Sequence, residues 1–305
     1  MTEMYRWNWI IEWGTPASAH MHAVKRFIYH GKSEFQEIQI VEYEELGKAL
    51  VLDGKTQSAL VDEFVYHEAL VQPALLLHGN PEKVLVLGGG EGATIREVLR
   101  FKSVKKVVMV DIDPVVIDVA KKYLPEWHQG SFDDPRLELI IGDGYKYVLE
   151  DKDKFDVIIA DLADPIEAGP AYKLYVKEFY EAVKKKLLPG GVFVTQATSP
   201  TQMPYTHAVI YNTIKSVFKY ASYYHVYVKS FDGVWGFVLA SDEKDPESLS
   251  GMDIDKLINE KIKGNNRFYD KIAHAHMFSV PKYLREEIES VKDVATLDNP
   301  IFTPA

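Results

Sequence analysis

Acidic side chains stand at the ends of two predicted buried strands. Glu91 lies in the turn GGGEG after the strand VLVL, and Asp161 and Asp164 lie in the segment DLADP. In a doubly wound sheet these strands are neighbours, and ligands bind beyond their carboxyl ends. The three carboxylates should therefore converge in one cleft, where they repel one another and lose hydration unless positive charge arrives. This arrangement predicts a cationic ligand such as a diamine or a longer polyamine.

The glycine turn also has the spacing of a nucleoside site. Gly88, Gly90 and Gly92 follow a strand and open a helix, and Asp111 ends the next strand. Such a turn lets the backbone approach a ligand, and the acid hydrogen-bonds ribose hydroxyls. The pattern also satisfies the dinucleotide fingerprint. A carboxylate at Glu91 about 4 Å from a pyrophosphate charge would cost on the order of 4 kcal/mol at an effective dielectric near 20, so we expect an adenine nucleoside instead.

The charge of Glu91 also bears on the rest of the donor. A helix N-terminus presents unpaired N–H groups and attracts anions, so a nucleotide site rarely places an acid there. Glu91 disfavours the free carboxylate of S-adenosylmethionine and favours a decarboxylated analogue that ends in an ammonium group. The simpler interpretation, a solvated acid near a helix start, stays open.

Two acids have a structural alternative. Asp143, in the segment Gly142-Asp143-Gly144 after the third predicted strand, either accepts from the exocyclic adenine amine or caps a helix, and the sequence does not separate the two. Asp164 precedes Pro165 and is also typical of a turn, an interpretation that fits Asp161 poorly.

Five further polar positions carry weaker signals. Gln57, Tyr66 and His67 precede the glycine turn, and on sequence alone each favours packing over chemistry. His274 and His276 form a short HAH, for which a surface helix is a better interpretation than metal binding. We therefore predict no metal site.

Composition limits the class of protein. The chain has 305 residues, a 47% hydrophobic fraction, no cysteine and a formal charge of -10. The charge disfavours nucleic acid and anionic membranes, and the absence of cysteine excludes disulfides and thiolate chemistry. The first residues lack a signal-peptide layout and no run of about 18 apolar residues occurs, which predicts a cytoplasmic protein.

Periodicity supplies the elements that must position these residues. Large apolar and polar side chains alternate from residue 5 to 61, beginning at Tyr5 and Trp7, and predict a small antiparallel β domain, with residues 62–305 as the catalytic domain. A strand and helix alternation follows. The predicted strands are 83–87, 106–111, 136–141, 155–161, 191–196, 223–229 and 234–240, and the predicted helices include 93–101, 114–124, 172–187 and 205–219. This α/β order, closed by an antiparallel hairpin, predicts a methyltransferase-like Rossmann sheet of seven strands.

These motifs resemble the polyamine aminopropyltransferases, the spermidine and spermine synthase family. LVLDG, GGGEG, DID, GDG and DLADP match that family in order and spacing over nearly the whole chain. Within the family the likeness is greatest to thermospermine synthase, which shares YHE at 66–68, GGGEG, DLADPIEAGPAYKLY and SFDGVWGFVLASD.

The resemblance implies a role for each matching residue. Asp161 corresponds to the acid that takes the proton from the attacking amine, Tyr66 to a tyrosine that holds that amine, and Asp164 to a second amine-binding acid. Glu91 matches the acid that fixes the aminopropyl amine. The positions that match the site of the methylthioadenosine half are Gln36, Gln57, Asp111, Asp143 and Gly144. Gly88 and Gly90 of the glycine turn belong to the same site.

The implied reaction transfers an aminopropyl group from decarboxylated S-adenosylmethionine, a co-substrate, so no cofactor is expected. Typical spermidine synthases have Gln where His67 stands, which favours spermidine as acceptor and thermospermine as product, while putrescine and other amines stay open as acceptors. A homodimer or homotetramer is expected from the aromatic alternation near the N-terminus. The alternatives are a non-catalytic polyamine-binding protein, a nicotinamide dehydrogenase and an S-adenosylmethionine methyltransferase. A methyltransferase is expected to have an acidic residue at the position of Val86.

Overall fold

A computed structural model describes residues 8–167 and 169–303. Tyr5 and Trp7, where the predicted alternation begins, lie outside them. The first five strands form one antiparallel sheet in sequential order. Its strands are β1 (Asn8–Thr15), β2 (Ser18–Lys32), β3 (Glu37–Tyr43), β4 (Gly47–Leu52) and β5 (Lys55–Ala59).

The second sheet has seven strands in the order β11-β12-β10-β9-β6-β7-β8. Strands β6 to β10 run parallel, and β11 and β12 close the sheet as an antiparallel hairpin. The predicted fold class is confirmed. The strands are β6 (Lys83–Gly88), β7 (Lys106–Asp111), β8 (Leu137–Ile141), β9 (Phe155–Asp161), β10 (Leu187–Gln196), β11 (Tyr220–Val228) and β12 (Gly233–Ser241).

Helices cover both faces of this sheet, and one predicted helix begins later than expected. The predicted helix 172–187 starts at Lys177, because Val176 has an extended backbone that separates it from a 3-10 turn, Pro170–Tyr175. The helices are α1 (Glu63–His78), α2 (Ala93–Leu99), α3 (Pro114–Tyr123), α4 (Pro125–His128), α5 (Gly144–Glu150), α6 (Lys177–Lys186), α7 (Pro204–Lys215), α8 (Ile254–Lys261), α9 (Lys271–Phe278) and α10 (Lys282–Ser290). Within the described ranges, no helix combines the length and apolarity that a membrane span requires.

Helix α1 is buried on almost all sides. Its aliphatic residues pack into the core between the sheet and α2, as expected of a helix that is apolar around most of its circumference. It nevertheless carries four buried polar side chains in its first turns, Glu63, Tyr66, His67 and Glu68. Buried polar groups require partners, and those of Tyr66 and His67 lie at the carboxyl ends of β6 and β9.

Candidate active site

The glycine turn after β6 lies directly against the end of β9. Gly88 pairs with Asp161 in the parallel register, and the Gly89 N–H donates to the Asp161 carbonyl at 3.0 Å. Gly88 has φ 77°, and a Cβ there would lie 2.1 Å from that carbonyl oxygen. Only glycine fits such an approach. The two strand ends that the sequence predicted to be neighbours are therefore in contact.

Both oxygens of the Asp161 carboxylate accept a hydrogen bond. Tyr66 Oη donates to Oδ1 at 2.8 Å, and Thr94 Oγ1 donates to Oδ2 at 2.5 Å. Burial and the charge of Glu91 raise the pKa of Asp161, while His67 and the two hydrogen bonds oppose them. The net result is a raised pKa, which suits a carboxyl group that takes up a proton.

Glu91 is paired inside the protein, which the sequence argument did not anticipate. His67 Nε2 lies 3.0 Å from Glu91 Oε1. On the other edge of the ring, Nδ1 donates to the Glu63 carbonyl at 2.6 Å and lies 3.2 Å from Glu63 Oε2. Burial would lower the pKa of His67, but the two carboxylates outweigh burial and raise it to about 10. His67 is therefore an imidazolium at neutral pH and matches part of the charge of Glu91.

Arg96 extends this arrangement away from the cleft. Its guanidinium donates to both carboxylate oxygens of Glu63, at 2.9 and 3.2 Å, and to the Trp127 carbonyl at 2.7 Å. Charges thus alternate from Glu91 through His67 and Glu63 to Arg96. Fixed partners on both sides hold the imidazole in one orientation.

Asp164 follows the end of β9 and is hydrogen-bonded to Gln196, the last residue of β10. Gln196 Nε2 donates to Asp164 Oδ1 at 3.1 Å and to the Leu162 carbonyl at 2.9 Å. Trp235 Nε1 in turn donates to Gln196 Oε1 at 3.2 Å. Burial raises the pKa of Asp164 to about 6, against the opposing effects of Gln196 and of the charge on Lys55.

Aromatic rings stand beside these acids. The Tyr66 ring lies 5.9 Å from Phe231, and Phe231 packs edge-on against Trp235 at 4.8 Å. The turn that carries Phe231 is anchored because the Ser230 N–H donates to Asp62 Oδ2 at 2.8 Å. The site thus joins carboxylates to an apolar wall, a combination that suits a chain of methylene groups between cationic nitrogens.

Asp111 borders the glycine turn on its other side. A Cβ at Gly90 would lie 3.0 Å from Asp111 Oδ2, so the turn approaches this acid closely. Asp111 Oδ1 accepts from the Asp113 N–H at 2.9 Å. Burial raises the pKa of Asp111 to about 6, with contributions from the negative charges of Asp113, Glu91 and Asp161.

Asp143 caps helix α5. Its Oδ1 accepts from the N–H groups of Tyr145, at 2.8 Å, and Lys146, at 3.4 Å. Gly144 opens that helix against Leu87, whose Cδ2 would lie 3.4 Å from an added Cβ. Of the two interpretations left open for Asp143, the structure thus contains the helix cap.

The two glutamines that the resemblance implied have partners outside the acid cluster. Gln36 Nε2 donates to Asp113 Oδ2 at 2.8 Å and so joins the small sheet to α3. Gln57 Nε2 donates to the carbonyl of Lys55 on its own strand, at 3.2 Å.

The histidines of the HAH segment are not brought together with these residues. His274 is buried in α9, where its Nδ1 pairs with Tyr269 Oη at 2.8 Å, and burial lowers its pKa to about 4. His276 faces His225 at a ring distance of 6.4 Å.

Five residues of this site escaped the sequence reasoning: Glu63 and Arg96 behind His67, and Thr94, Gln196 and Trp235 around Asp161 and Asp164. Gln196 had a usable signal, because it ends the strand next to β9 and therefore opens into the same crevice. Thr94 and Trp235 had none, since their contacts with Asp161 and Gln196 depend on how α2 and β12 pack.

Comparisons with known proteins cover both sheets. Residues 63–249 match the family model described as spermine/spermidine synthase domain, and residues 8–59 match the spermidine synthase tetramerisation domain. A polyamine aminopropyltransferase of Sulfurisphaera tokodaii is 55% identical over 302 residues, which is 99% of this chain and all of the relative. One from Aeropyrum pernix is 52% identical over 98% of this chain and 96% of its own.

Two solved structures share this fold over most of the chain. A spermidine synthase in complex with the transition-state analogue AdoDATO has a TM-score of 0.87 and 36% identity, over 93% of this chain and 96% of its own. The spermidine synthase of Thermotoga maritima has a TM-score of 0.85 and 35% identity, over 94% of this chain and 96% of its own.

Proposed function

Because the chain belongs to the spermine/spermidine synthase family and is an aminopropyltransferase, we propose that it moves an aminopropyl group from decarboxylated S-adenosylmethionine to spermidine. The products are thermospermine and methylthioadenosine. The observation that carries the proposal is the Asp161 carboxylate, partly buried between the hydroxyls of Tyr66 and Thr94, with a raised pKa. The two substrates supply all the reacting atoms, so the chemistry requires no further cofactor.

Asp161 acts as the general base in this proposal. An alkylamine resembles lysine with a pKa near 10.4, so forming the free amine at pH 7 costs roughly 4.6 kcal/mol. The acceptor's ammonium gives a proton to Asp161, and the freed lone pair attacks the carbon beside the sulfonium. A C–N bond forms, the C–S bond breaks, and its electron pair goes to the sulfur of methylthioadenosine. The raised pKa of Asp161 reduces the cost of the proton transfer.

Tyr66 orients the reacting groups. Its hydroxyl donates to Asp161 Oδ1 at 2.8 Å and can accept from the incoming amine. Burial and the charge of Asp161 raise the pKa of Tyr66 well above its usual value, so the hydroxyl stays protonated. It therefore holds the lone pair in line with carbon and sulfur without competing as a base.

Glu91 binds the remote ammonium of the donor. The sulfonium charge disappears in the transition state, so an acid close to sulfur would stabilise the ground state more than the transition state. Glu91, held by His67 at 3.0 Å, presents its charge to the end of the aminopropyl group instead. The cation His67 leaves Glu91 partly compensated when the site is free, and it limits the repulsion between Glu91 and Asp161.

The nucleoside half lies over the glycine turn. Asp111 receives the ribose hydroxyls beside Gly90, which approaches it closely. Asp143 and Gly144, at the start of α5, are assigned to the adenine by the family resemblance. Gln57, on β5 of the small sheet, is assigned to this half of the donor by the family resemblance alone. The Nε2 group of Gln36 donates to Asp113, so Gln36 can contact the nucleoside either after that hydrogen bond breaks or through its side-chain oxygen, Oε1.

The acceptor lies along Asp164 and the aromatic wall. Asp164 binds a second ammonium of the acceptor, and Phe231 and Trp235 contact the methylenes between the nitrogens. His67 has both ring nitrogens occupied, so its effect on the acceptor is exerted through Glu91. Asp161 and Asp164 match two nitrogens of either spermidine or putrescine, so the choice of spermidine rests on the resemblance to thermospermine synthase and on His67 where typical spermidine synthases have Gln.

The small sheet provides the subunit contact. Trp9, Ile11 and Trp13 alternate on the outer face of β1 and are 46%, 52% and 60% exposed. An apolar face of this kind is typical of an interface. We propose residues 1–61 as the oligomerisation domain, residues 62–305 as the catalytic domain, and a homodimer or homotetramer as the assembly.

A direct assay tests the acceptor. The protein is incubated with decarboxylated S-adenosylmethionine and putrescine, spermidine or spermine in turn, and products are separated chromatographically before mass spectrometry, because spermine and thermospermine have equal mass. We expect spermidine to be used with the highest kcat/KM and to yield thermospermine. Faster turnover of putrescine would overturn the acceptor assignment and leave aminopropyl transfer standing.

A further inference from the structure

Three metal-ligating side chains share the inner face of the β1–β2 hairpin. Glu12 on β1 is paired in register with His20 on β2, and His22 lies two residues further along the same strand. Successive side chains of a strand point to opposite faces, so these three lie on one face, and Trp13 and Met21 lie on the other. None of these three residues is among those assigned to aminopropyl transfer.

The potential ligand atoms of this cluster are close together. One oxygen of Glu12 and one ring nitrogen of each histidine all lie within 4.8 Å of one another. Zn²⁺ in a tetrahedral site bonds nitrogen and oxygen at about 2.0–2.2 Å, which sets neighbouring ligand atoms about 3.4 Å apart. His20 Nε2 is already 3.5 Å from Glu12 Oε2. Small side-chain rotations would therefore complete three ligands around one ion.

The two imidazoles have unused nitrogens. Nε2 of His20 and Nε2 of His22 are both inaccessible to solvent, and neither makes a hydrogen bond with any residue in 8–167 or 169–303. Buried polar atoms of native proteins are nearly always satisfied, so the unpaired Nε2 of His22 indicates a missing partner, and the nearest acceptor of His20 Nε2 is Glu12 Oε2 at 3.5 Å.

The carboxylate is already oriented for this purpose. Glu12 is 8% exposed, and its Oε2 accepts from the Thr56 N–H of β5 at 2.9 Å. Thr56 Oγ1 in turn bonds Tyr43 Oη at 3.0 Å. Fixed hydrogen bonds to a ligating carboxylate are typical of metal sites.

We propose that Glu12, His20 and His22 bind one divalent transition-metal ion, with Zn²⁺ the best match. Two imidazoles and one carboxylate suit zinc, whereas Mg²⁺ and Ca²⁺ require more oxygen ligands. The ion cross-links β1 to β2 and, through the Thr56 hydrogen bond, braces β5. It holds in place the strand whose outer face carries Trp9, Ile11 and Trp13. With three protein ligands, the fourth tetrahedral position is left to water.

Zinc titration of tag-free protein tests this site. Protein stripped with a chelator is titrated with Zn²⁺ by calorimetry, and thermal unfolding is followed with and without the metal. We expect one Zn²⁺ per chain and a rise in Tm. His22→Ala should weaken zinc binding at least 100-fold and abolish the rise. His30→Ala is the matched control, because His30 lies on the same strand with an exposed side chain beside Glu37 and should leave binding unchanged.

Aminopropyl transfer by metal-free His22→Ala reports whether the variant is folded. If it is not, Co²⁺ added to stripped wild-type protein gives the answer without a variant, since tetrahedral nitrogen and oxygen ligation produces strong visible absorption that Zn²⁺ removes. Absence of zinc binding by the wild type, equal affinity in His22→Ala, or a Co²⁺ spectrum identical to that of the hydrated ion would each overturn the proposal.

Discussion

Replacing His67 with glutamine tests the internal cation of the active site. In the folded protein the pKa of His67 is about 10, against 6.5 for an ordinary histidine. At about 1.4 kcal/mol per pH unit, this difference corresponds to roughly 5 kcal/mol of stabilisation by its charged form. A glutamine amide can still donate to one carboxylate, and Glu63 keeps Arg96, so we expect a net loss of about 2–3 kcal/mol at pH 6.5.

The cost of His67→Gln should depend on pH. Because the folded pKa is raised, the stabilisation is fully present below pH 6.5 and is lost as pH rises through 10. Titration of His67 lowers the free energy of unfolding of the wild type by about 4 kcal/mol between pH 6.5 and pH 10, relative to His67→Gln. The cost of the substitution should therefore disappear over this range, and at pH 10 His67→Gln should be the more stable protein by about 1–2 kcal/mol. Urea unfolding at pH 6.5, 8.5 and 10 measures it, and groups common to both proteins cancel in the comparison.

His274→Gln is the matched control. His274 is also a buried helical histidine, but its pKa is lowered to about 4, so it is neutral over this whole range. Its substitution should cost the same at every pH tested. If the cost of His67→Gln were equally independent of pH, His67 would be neutral and the charge alternation from Glu91 to Arg96 would be wrong.

Three other substitutions address the cleft. Asp161→Asn should lower kcat about 100-fold or more with little change in KM, measured as methylthioadenosine release; a loss under tenfold would argue against the general base. Thr94→Val removes a hydrogen bond that lowers the pKa of Asp161, so the acid limb of the rate profile should move to higher pH, and an unmoved limb would contradict the assignment. Gly88→Ala should destabilise far more than Gly54→Ala, which shares its positive φ but has open space around the added Cβ; equal urea midpoints would show that contact with Asp161 does not constrain the turn.

The parts of the site fixed by strand ends were predictable from the sequence. The sequence placed Glu91 and Asp161 at the ends of neighbouring strands, because each follows a buried apolar run. The carboxyl ends of parallel strands lie at the same edge of a sheet and border one crevice. The same reasoning predicted the seven strands and the closing hairpin.

What the sequence could not supply depends on contacts between distant elements. The i, i+4 spacing of Glu63 and His67 is visible in the sequence, but the contact of His67 with Glu91 exists only because α1 packs beside the glycine turn. Asp143 was undecided because a cap and a ligand-binding acid occupy the same position before a helix. Likewise, Glu12 meets His20 only through the register of β1 and β2.

The central claim is that this acid-lined cleft takes a carboxyl-free donor and alkylates a polyamine. The most direct measurement compares S-adenosylmethionine with its decarboxylated form as donor to spermidine, quantifying methylthioadenosine and the modified amine together. The account predicts equimolar methylthioadenosine and aminopropylated product with the decarboxylated donor and no transfer with S-adenosylmethionine. A methylated amine, or equal use of both donors, would contradict it.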